Sequence, residues 1–170
     1  MREQREVRIE PFELVYAQDL AVFAVQATID TYDYCLSDVS RKRLELQQVQ
    51  DFTQTKDTIL LAKAGRQIAG YAQVGEPDDP LPPKSGELRR LYVANQLQSR
   101  GIGGQLMEAA LASSALSSAP LVSLWVWGGN TRAQQFYKGY GFTPFKTREY
   151  CTARYEPTFD MMMVRRQSLR

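Results

Sequence analysis

Apolar and polar positions change their spacing several times along the chain, and each change predicts an element. Residues 7–10 (Val-Arg-Ile-Glu) alternate, which predicts a short strand ahead of the polar break at Gln18-Asp19. Leu20, Phe23, Ala24, Ala27 and Thr31 then fall at helical spacing, with Asp19 placed to cap the first turn. A second helix is expected over residues 41–53, where Leu44, Leu46, Val49 and Phe52 are interspersed with long polar side chains. Residues 58–62 and 68–74 are apolar runs separated by Ala64-Gly65-Arg66, the pattern of an antiparallel hairpin. Residues 75–84 form a loop, because their prolines have no N–H to give to a ladder. Another strand follows over 87–93, then a glycine cluster opening a helix, a strand over 121–127, and a short helix from Asn130. Extended structure restarts at Gly141-Phe142, and residues 159–165 make a last strand. No internal repeat or low-complexity tract interrupts the series.

Length and composition narrow the picture. A chain of 170 residues, 44% hydrophobic, suits one domain, 1–170, with a core of its own. Its 21 basic and 19 acidic residues nearly cancel, which gives no reason to invoke nucleic acid or an anionic membrane. Arg2, Arg5 and Arg8 at one end and Arg165, Arg166 and Arg170 at the other read as solvated termini. The first residues lack the apolar stretch of a signal peptide, and no apolar run approaches the roughly 18 residues that span a bilayer, so a cytoplasmic location is expected. Cys35 and Cys151 are too few for a disulfide framework or a metal site and read as reduced thiols. Histidine is absent altogether, which removes Ser-His-Asp and Cys-His catalysis and imidazole metal sites. Carboxylates, tyrosines, lysines and backbone groups remain as candidate chemists.

The densest local signal is Gln98-Ser99-Arg100-Gly101-Ile102-Gly103-Gly104, directly after the strand Leu88-Arg89-Arg90-Leu91-Tyr92-Val93 and before the helical run from Gln105. A strand, a glycine-rich turn and a helix N-terminus present backbone N–H groups and a positive dipole end to an anion. Glycine lets a phosphate approach those donors and permits positive φ. A P-loop is excluded because Gln105-Leu106 stand where Lys-Ser/Thr would follow the glycines, and a dinucleotide fingerprint lacks its third glycine at Leu106. A loop that merely turns the chain accounts for the same residues.

Gln98-x-x-Gly101-x-Gly103 resembles the Gln/Arg-x-x-Gly-x-Gly/Ala motif with which GNAT acetyltransferases bind the pyrophosphate of coenzyme A. A second segment, Asn130-Thr131-Arg132-Ala133-Gln134-Gln135-Phe136-Tyr137-Lys138-Gly139-Tyr140-Gly141-Phe142, is similar to the family's Asn-x-x-Ala-x-x-Phe-Tyr-x-x-x-Gly-Phe at every fixed position. Both motifs stand in the family's order, and the resemblance covers about residues 59–165. It implies an α/β (α+β) GNAT fold: a mixed, mostly antiparallel sheet of six to seven strands flanked by about four helices. It also implies acetyl-CoA as cosubstrate, no metal, a small-molecule amine acceptor, no nucleic-acid or membrane partner, and room for a homodimer.

The implied roles map onto single residues. Gln98, Ser99, Arg100, Gly101, Ile102, Gly103 and Gly104 would hold the pyrophosphate, and the backbone of Leu91, Tyr92 and Val93 would meet the pantetheine arm, with one N–H polarising the thioester carbonyl. Asn130 and Tyr137 complete the cofactor side, and Tyr137 would also be catalytic at the sulfur. A phenol of pKa about 10 facing a thiol of about 8.5 makes full proton transfer uphill by roughly 2 kcal/mol, which favours a hydrogen bond to the developing thiolate. Glu87, at the start of the strand, is the candidate base. Each has a plainer reading: Asn130 as an N-cap, Tyr137 as part of an Ala133, Phe136, Tyr140 core stripe, and Glu87 as a solvated strand-end carboxylate. Trp125 stands where some relatives carry a second glutamate.

Glu87-x-x-Arg90-x-Tyr92, Val126-Trp127 and Asp160-x-x-Met163 look like signatures of the PaiA-like polyamine acetyltransferases, although Phe159 replaces the threonine expected before Asp160. Asp30, Asp33 and Asp38 with Tyr32 and Tyr34 would offer such a polycation an acidic, aromatic mouth, or are simply solvated helix ends. Protein N-termini and aminoglycosides are alternative acceptors. A non-catalytic acetyl-CoA sensor is disfavoured by the presence of Tyr137, and a nucleic-acid-binding regulator by the near-zero net charge.

Overall fold

The structure is a computed structural model that describes residues 6–32, 35–151 and 157–167. It contains seven strands and four α-helices among those residues. They run β1 (Val7–Pro11), α1 (Ala17–Tyr32), α2 (Asp38–Gln54), β2 (Thr58–Ala64), β3 (Gln67–Gly75), β4 (Gly86–Val93), α3 (Ile102–Ala112), β5 (Leu121–Trp127), α4 (Thr131–Gly139), β6 (Thr143–Cys151) and β7 (Pro157–Arg166). The strands form one sheet in the order β1-β2-β3-β4-β5-β7-β6. Pairing is antiparallel for β1 with β2, β5 with β7 and β6 with β7, while β4 runs parallel to β5. This is the mixed, mostly antiparallel sheet the sequence implies.

Most differences from expectation lie at element ends. A 3-10 turn over Leu14–Tyr16 runs straight into α1, so the helix starts two residues before Asp19, which lies inside its first turn and is not its cap. Helix α2 starts earlier than residue 41 because the Ser37 hydroxyl accepts the Ser40 N–H at 3.2 Å, an N-cap the apolar spacing could not reveal. A second 3-10 turn, Asn95–Leu97, separates β4 from the glycine cluster.

The chain forms two compact units, residues 1–73 with 90–113 and residues 74–89 with 114–170. In the first, Leu20, Ala21, Ala24, Phe52, Ile59, Leu61 and Tyr71 form a buried cluster. Tyr71 meets Phe52 edge-on at 5.8 Å and stacks on Tyr92 at 5.8 Å, so the β4 end is held by aromatic packing. At its rim Lys63 donates to Tyr16 at 2.7 Å and Glu10 at 2.9 Å, tying β1 to β2. In the second unit, Val122, Leu124 and Val126 of β5 and Met162 and Met163 of β7 are buried, as are Leu88 and Phe142.

Candidate active site

The turn after β4 is a backbone device. Ser99 and Gly101 both take positive φ, 61° and 80°, and Gly101 is the N-cap of α3, whose first intrahelical bond runs from the Gln105 N–H to the Gly101 carbonyl at 3.1 Å. Two left-handed residues within three positions give the kind of curled backbone from which anion-binding turns are built. A Cβ built on Gly101 would meet no heavy atom within 4 Å, so that glycine is there for its backbone angle and not for lack of space. No acidic residue lies in the first turn of α3, so that turn adds no negative charge of its own to the positive helix end. Gln98 turns inward: its amide donates to Asn95 Oδ1 at 2.9 Å and the Val93 carbonyl at 3.3 Å, closing the turn onto β4. Ser99, Arg100 and Gly101 are exposed, Gly103 and Gly104 half-buried, and Ile102 is buried as the anchor. Leu91, Tyr92 and Val93 are half-buried, and the Tyr92 ring packs against the aromatic core, leaving the backbone as the part of that residue a ligand would meet.

Glu87 is not a solvated strand-end carboxylate. It is buried, 6% exposed, one residue into β4 and in parallel register with Ser123 of β5. The proline-rich loop supplies its partners, with the Asp78 N–H donating to Glu87 Oε2 at 3.3 Å. Arg89 Nη1 stands 3.8 Å from Glu87 Oε1, while Nη1 and Nη2 each donate to the Asp78 carboxylate, at 2.7 and 3.0 Å. Burial pushes the Glu87 carboxyl above its ordinary value, opposed by the Arg89 charge and the Asp78 N–H. A carboxylate raised in this way is a better proton acceptor near neutral pH than a solvated one.

Helix α4 places the second motif. Asn130 Oδ1 accepts the Ala133 N–H at 3.0 Å, so the capping role expected of it is present. Of the Ala133, Phe136, Tyr137, Tyr140 stripe only Tyr137 is buried, 9% exposed, with its ring beside Phe136 at 5.5 Å and Phe142 at 6.1 Å. Where β5 ends, the Phe159 ring lies over Gly128: a Cβ there would stand 2.4 Å from it, so any side chain at that position requires the ring to move. Gln134, which no motif singles out, donates to the Gly128 carbonyl at 2.9 Å and locks the helix to the end of β5.

These elements are those of a known family. Residues 24–142 match the acetyltransferase (GNAT) family. The chain belongs to that family. Its relatives include an N-acetyltransferase of Mycobacterium tuberculosis, 34% identical over 113 residues that make up 66% of this chain and 69% of the relative. Another, from Lactobacillus delbrueckii subsp. lactis, is 33% identical over 86 residues, 49% of this chain and 50% of the relative. The chain thus spans about half the length of the Lactobacillus relative and about two thirds of the mycobacterial one. Among solved structures, the ribosomal-protein-alanine N-acetyltransferase of Brucella melitensis has a TM-score of 0.71 at 19% identity, covering 94% of this chain and 99% of that one. The PaiA N-acetyltransferase of Thermoplasma acidophilum, solved with coenzyme A, has a TM-score of 0.64 at 19% identity, covering 95% and 99%. At such identities the likeness is one of fold, and the expected GNAT acetyltransferase fold is met.

Other expected features divide. Asp30 is exposed and accepts from Gln26 at 2.6 Å, Gln26 also accepts from Arg41 at 2.8 Å, and Asp38 is exposed in the first turn of α2. Asp33 and Tyr34 lie outside the described residues, as do Arg2, Arg5 and Arg170. Trp125 has acquired a carboxylate neighbour from afar: its indole N–H donates to Asp79 at 3.0 Å, and Lys146 donates to the same carboxylate at 2.6 Å. Arg148 covers the Trp125 ring at 4.1 Å and pairs with Asp160 at 3.0 Å. Sequence reading treats Asp78 and Asp79 only as loop residues, and their one visible signal is two adjacent acids ahead of a strand bearing Arg89 and Arg90. Among the described residues no helix is long and apolar enough to cross a membrane, and no group of three His, Cys, Asp or Glu is placed to hold a metal.

Proposed function

We propose that this GNAT chain, acting as one catalytic domain over residues 1–170, transfers an acetyl group from acetyl-CoA to a primary amine of a small molecule. The observation that carries the reading is the turn over residues 98–104: two left-handed residues, an N-terminal glycine cap and an acid-free first helical turn fit a pyrophosphate. Bound there, acetyl-CoA supplies an activated thioester. In this reading Gln98, Ser99, Arg100, Gly101, Ile102, Gly103 and Gly104 hold its phosphates, and the backbone of Leu91, Tyr92 and Val93 lies along its arm. Asn130 fixes the helix that carries Tyr137. Tyr137 gives its hydroxyl hydrogen bond to the departing sulfur. Glu87 takes the proton that the amine must lose, a role its burial supports.

The finer reading is a polyamine acceptor such as spermidine, in a cytoplasmic enzyme without nucleic-acid or membrane partners, free to form a homodimer. It is supported by the Glu87, Arg90, Tyr92 and Asp160, Met163 matches and by the PaiA protein among the structural neighbours. Thiol release from acetyl-CoA, measured against spermidine, spermine, an aminoglycoside, amino acids and an alanine-initiated peptide, tests both levels. Spermidine is expected to react faster than the aminoglycoside, with a rate that falls as salt is added. Faster reaction of the peptide overturns the polyamine reading and keeps the transferase. No thiol release with any amine overturns both.

A further inference from the structure

Around Glu87 the structure shows a group that neither motif contains. We propose that Arg89, held by Asp78, is a positioning residue for the acetyl transfer, fixing the protonation of Glu87 without touching either substrate. The proposal rests on the reading of Glu87 as the base.

Three contacts carry it. The Asp78 carboxylate takes two Arg89 N–H bonds, at 2.7 and 3.0 Å, and the Glu76 carbonyl accepts a third. So anchored, Arg89 keeps Nη1 3.8 Å from Glu87 Oε1, within reach of the charge but beyond a hydrogen bond. The same Asp78 gives its backbone N–H to the other oxygen of Glu87 at 3.3 Å. One loop residue therefore restrains the cation and touches the carboxylate it acts on.

The arrangement is a balance. A guanidinium bonded directly to Glu87 would hold it ionised and weakly basic, while a buried Glu87 with no cation nearby would be pushed further above its ordinary value. Arg89 at 3.8 Å, its charge shared with Asp78, leaves Glu87 between those limits. The other groups around Glu87 do not replace it. Asp78 and Asp79 of the loop push the carboxyl upward, Asp79 is itself held by Lys146 of β6, and the β5 residue in register is the uncharged Ser123.

The test is the pH profile of kcat/KM for acetyl transfer in the full chain, with spermidine or whichever amine the panel shows to react best. Arg89→Gln should move the acidic limb to higher pH by about half to one unit, because the carboxyl loses its cation. Asp78→Asn should move it the opposite way, because an acid is lost and the charge of Arg89 is no longer shared. Arg89→Lys, which keeps the charge, should stay near the parent. A purely structural Arg89 would lower the plateau or the melting temperature and leave the limb in place. Glu87→Gln is the control for the underlying reading. If that variant keeps the limb, Glu87 is not the base and both ideas fall. If it loses the limb while Arg89→Gln and Asp78→Asn leave theirs unmoved, only the role of Arg89 is overturned. Asp78 has 81% of its side chain exposed, so Asp78→Asn decides alone should Arg89→Gln fail to fold.

Discussion

The two ends of β4 are built from different materials. After its C-terminal end, the turn over residues 98–104 uses main-chain groups: positive φ at Ser99 and Gly101, the N-terminus of α3, and one side chain, Gln98, that closes the loop within five residues. Around its N-terminal end, the Glu87 carboxylate depends on the Arg89 guanidinium two positions on and on a loop residue nine positions back, Asp78, which gives it a backbone N–H and holds Arg89 with its side chain. The first kind of site survives changes in its surroundings because glycine angles are local. The second gets its chemistry from burial and from distant charges, so it can be retuned without altering a motif. Substrate choice and pH response are therefore expected to vary through the second kind, while cofactor binding stays with the first.

The largest expected effect falls on the side-chain chemistry. Tyr137→Phe should lower kcat by roughly 10²–10³, the range for losing one oriented donor, with little change in acetyl-CoA affinity. Burial of the Tyr137 ring beside Phe136 and Phe142 explains its position equally well as plain packing, and the variant keeps that packing. If the hydroxyl is only structural, turnover stays near normal and the melting temperature drops instead. Full activity in Tyr137→Phe would remove that residue from the chemistry and narrow the contrast to Glu87 alone.

A smaller effect, and of the other kind, is expected from Gly103→Val. A branched side chain in the first turn of α3 stands between a phosphate and its donors, and losing charge-assisted N–H bonds should weaken acetyl-CoA binding by about 10- to 100-fold. Helix propensity favours valine over glycine, so the fold should not suffer. Calorimetry reads the affinity directly. Unchanged binding, with unchanged melting, would mean that the turn only redirects the chain.

The same contrast governs what could be read in advance. Strand β5 runs over 121–127 as its apolar run, interrupted only by Ser123, indicates, and Gly101 announces its positive φ because few other residues adopt one, whereas Ser99 takes the same region unannounced. The start of α2 was hidden because a serine cap lies outside the apolar spacing, and α1 begins in a 3-10 turn that has no period of its own. The burial of Glu87 is not readable from its place at a strand end, and its Asp78 partner lies in a loop whose composition says only that it is not a strand. Trp125 shows the limit most clearly. Its position excludes a glutamate on β5, but nothing local says that Asp79, 46 residues earlier, brings a carboxylate to the same ring.

The smallest effect tests the one motif residue that belongs to both kinds. The side-chain oxygen of Asn130 caps α4 through the Ala133 N–H, and the family pattern also assigns Asn130 to the cofactor side. Asn130→Ala should cost about 1 kcal/mol of stability, the usual loss for an N-cap, which in a domain of this length lowers the melting temperature by about 2–4 °C. Asn130→Asp restores an equally good cap and suits the positive helix end, so it should melt like the parent. With the cap restored, KM for acetyl-CoA becomes informative. A new negative charge in contact with the ligand's phosphates or carbonyls would raise KM several-fold at low salt, and the rise would shrink as salt screens it. If Asn130 acts through the helix alone, Asn130→Asp keeps both the parent's melting temperature and its KM, which is the outcome expected from an oxygen already committed to Ala133. A salt-sensitive KM in a fully stable Asn130→Asp protein would instead put a side chain of α4 on the cofactor and blur the division between backbone and side-chain sites.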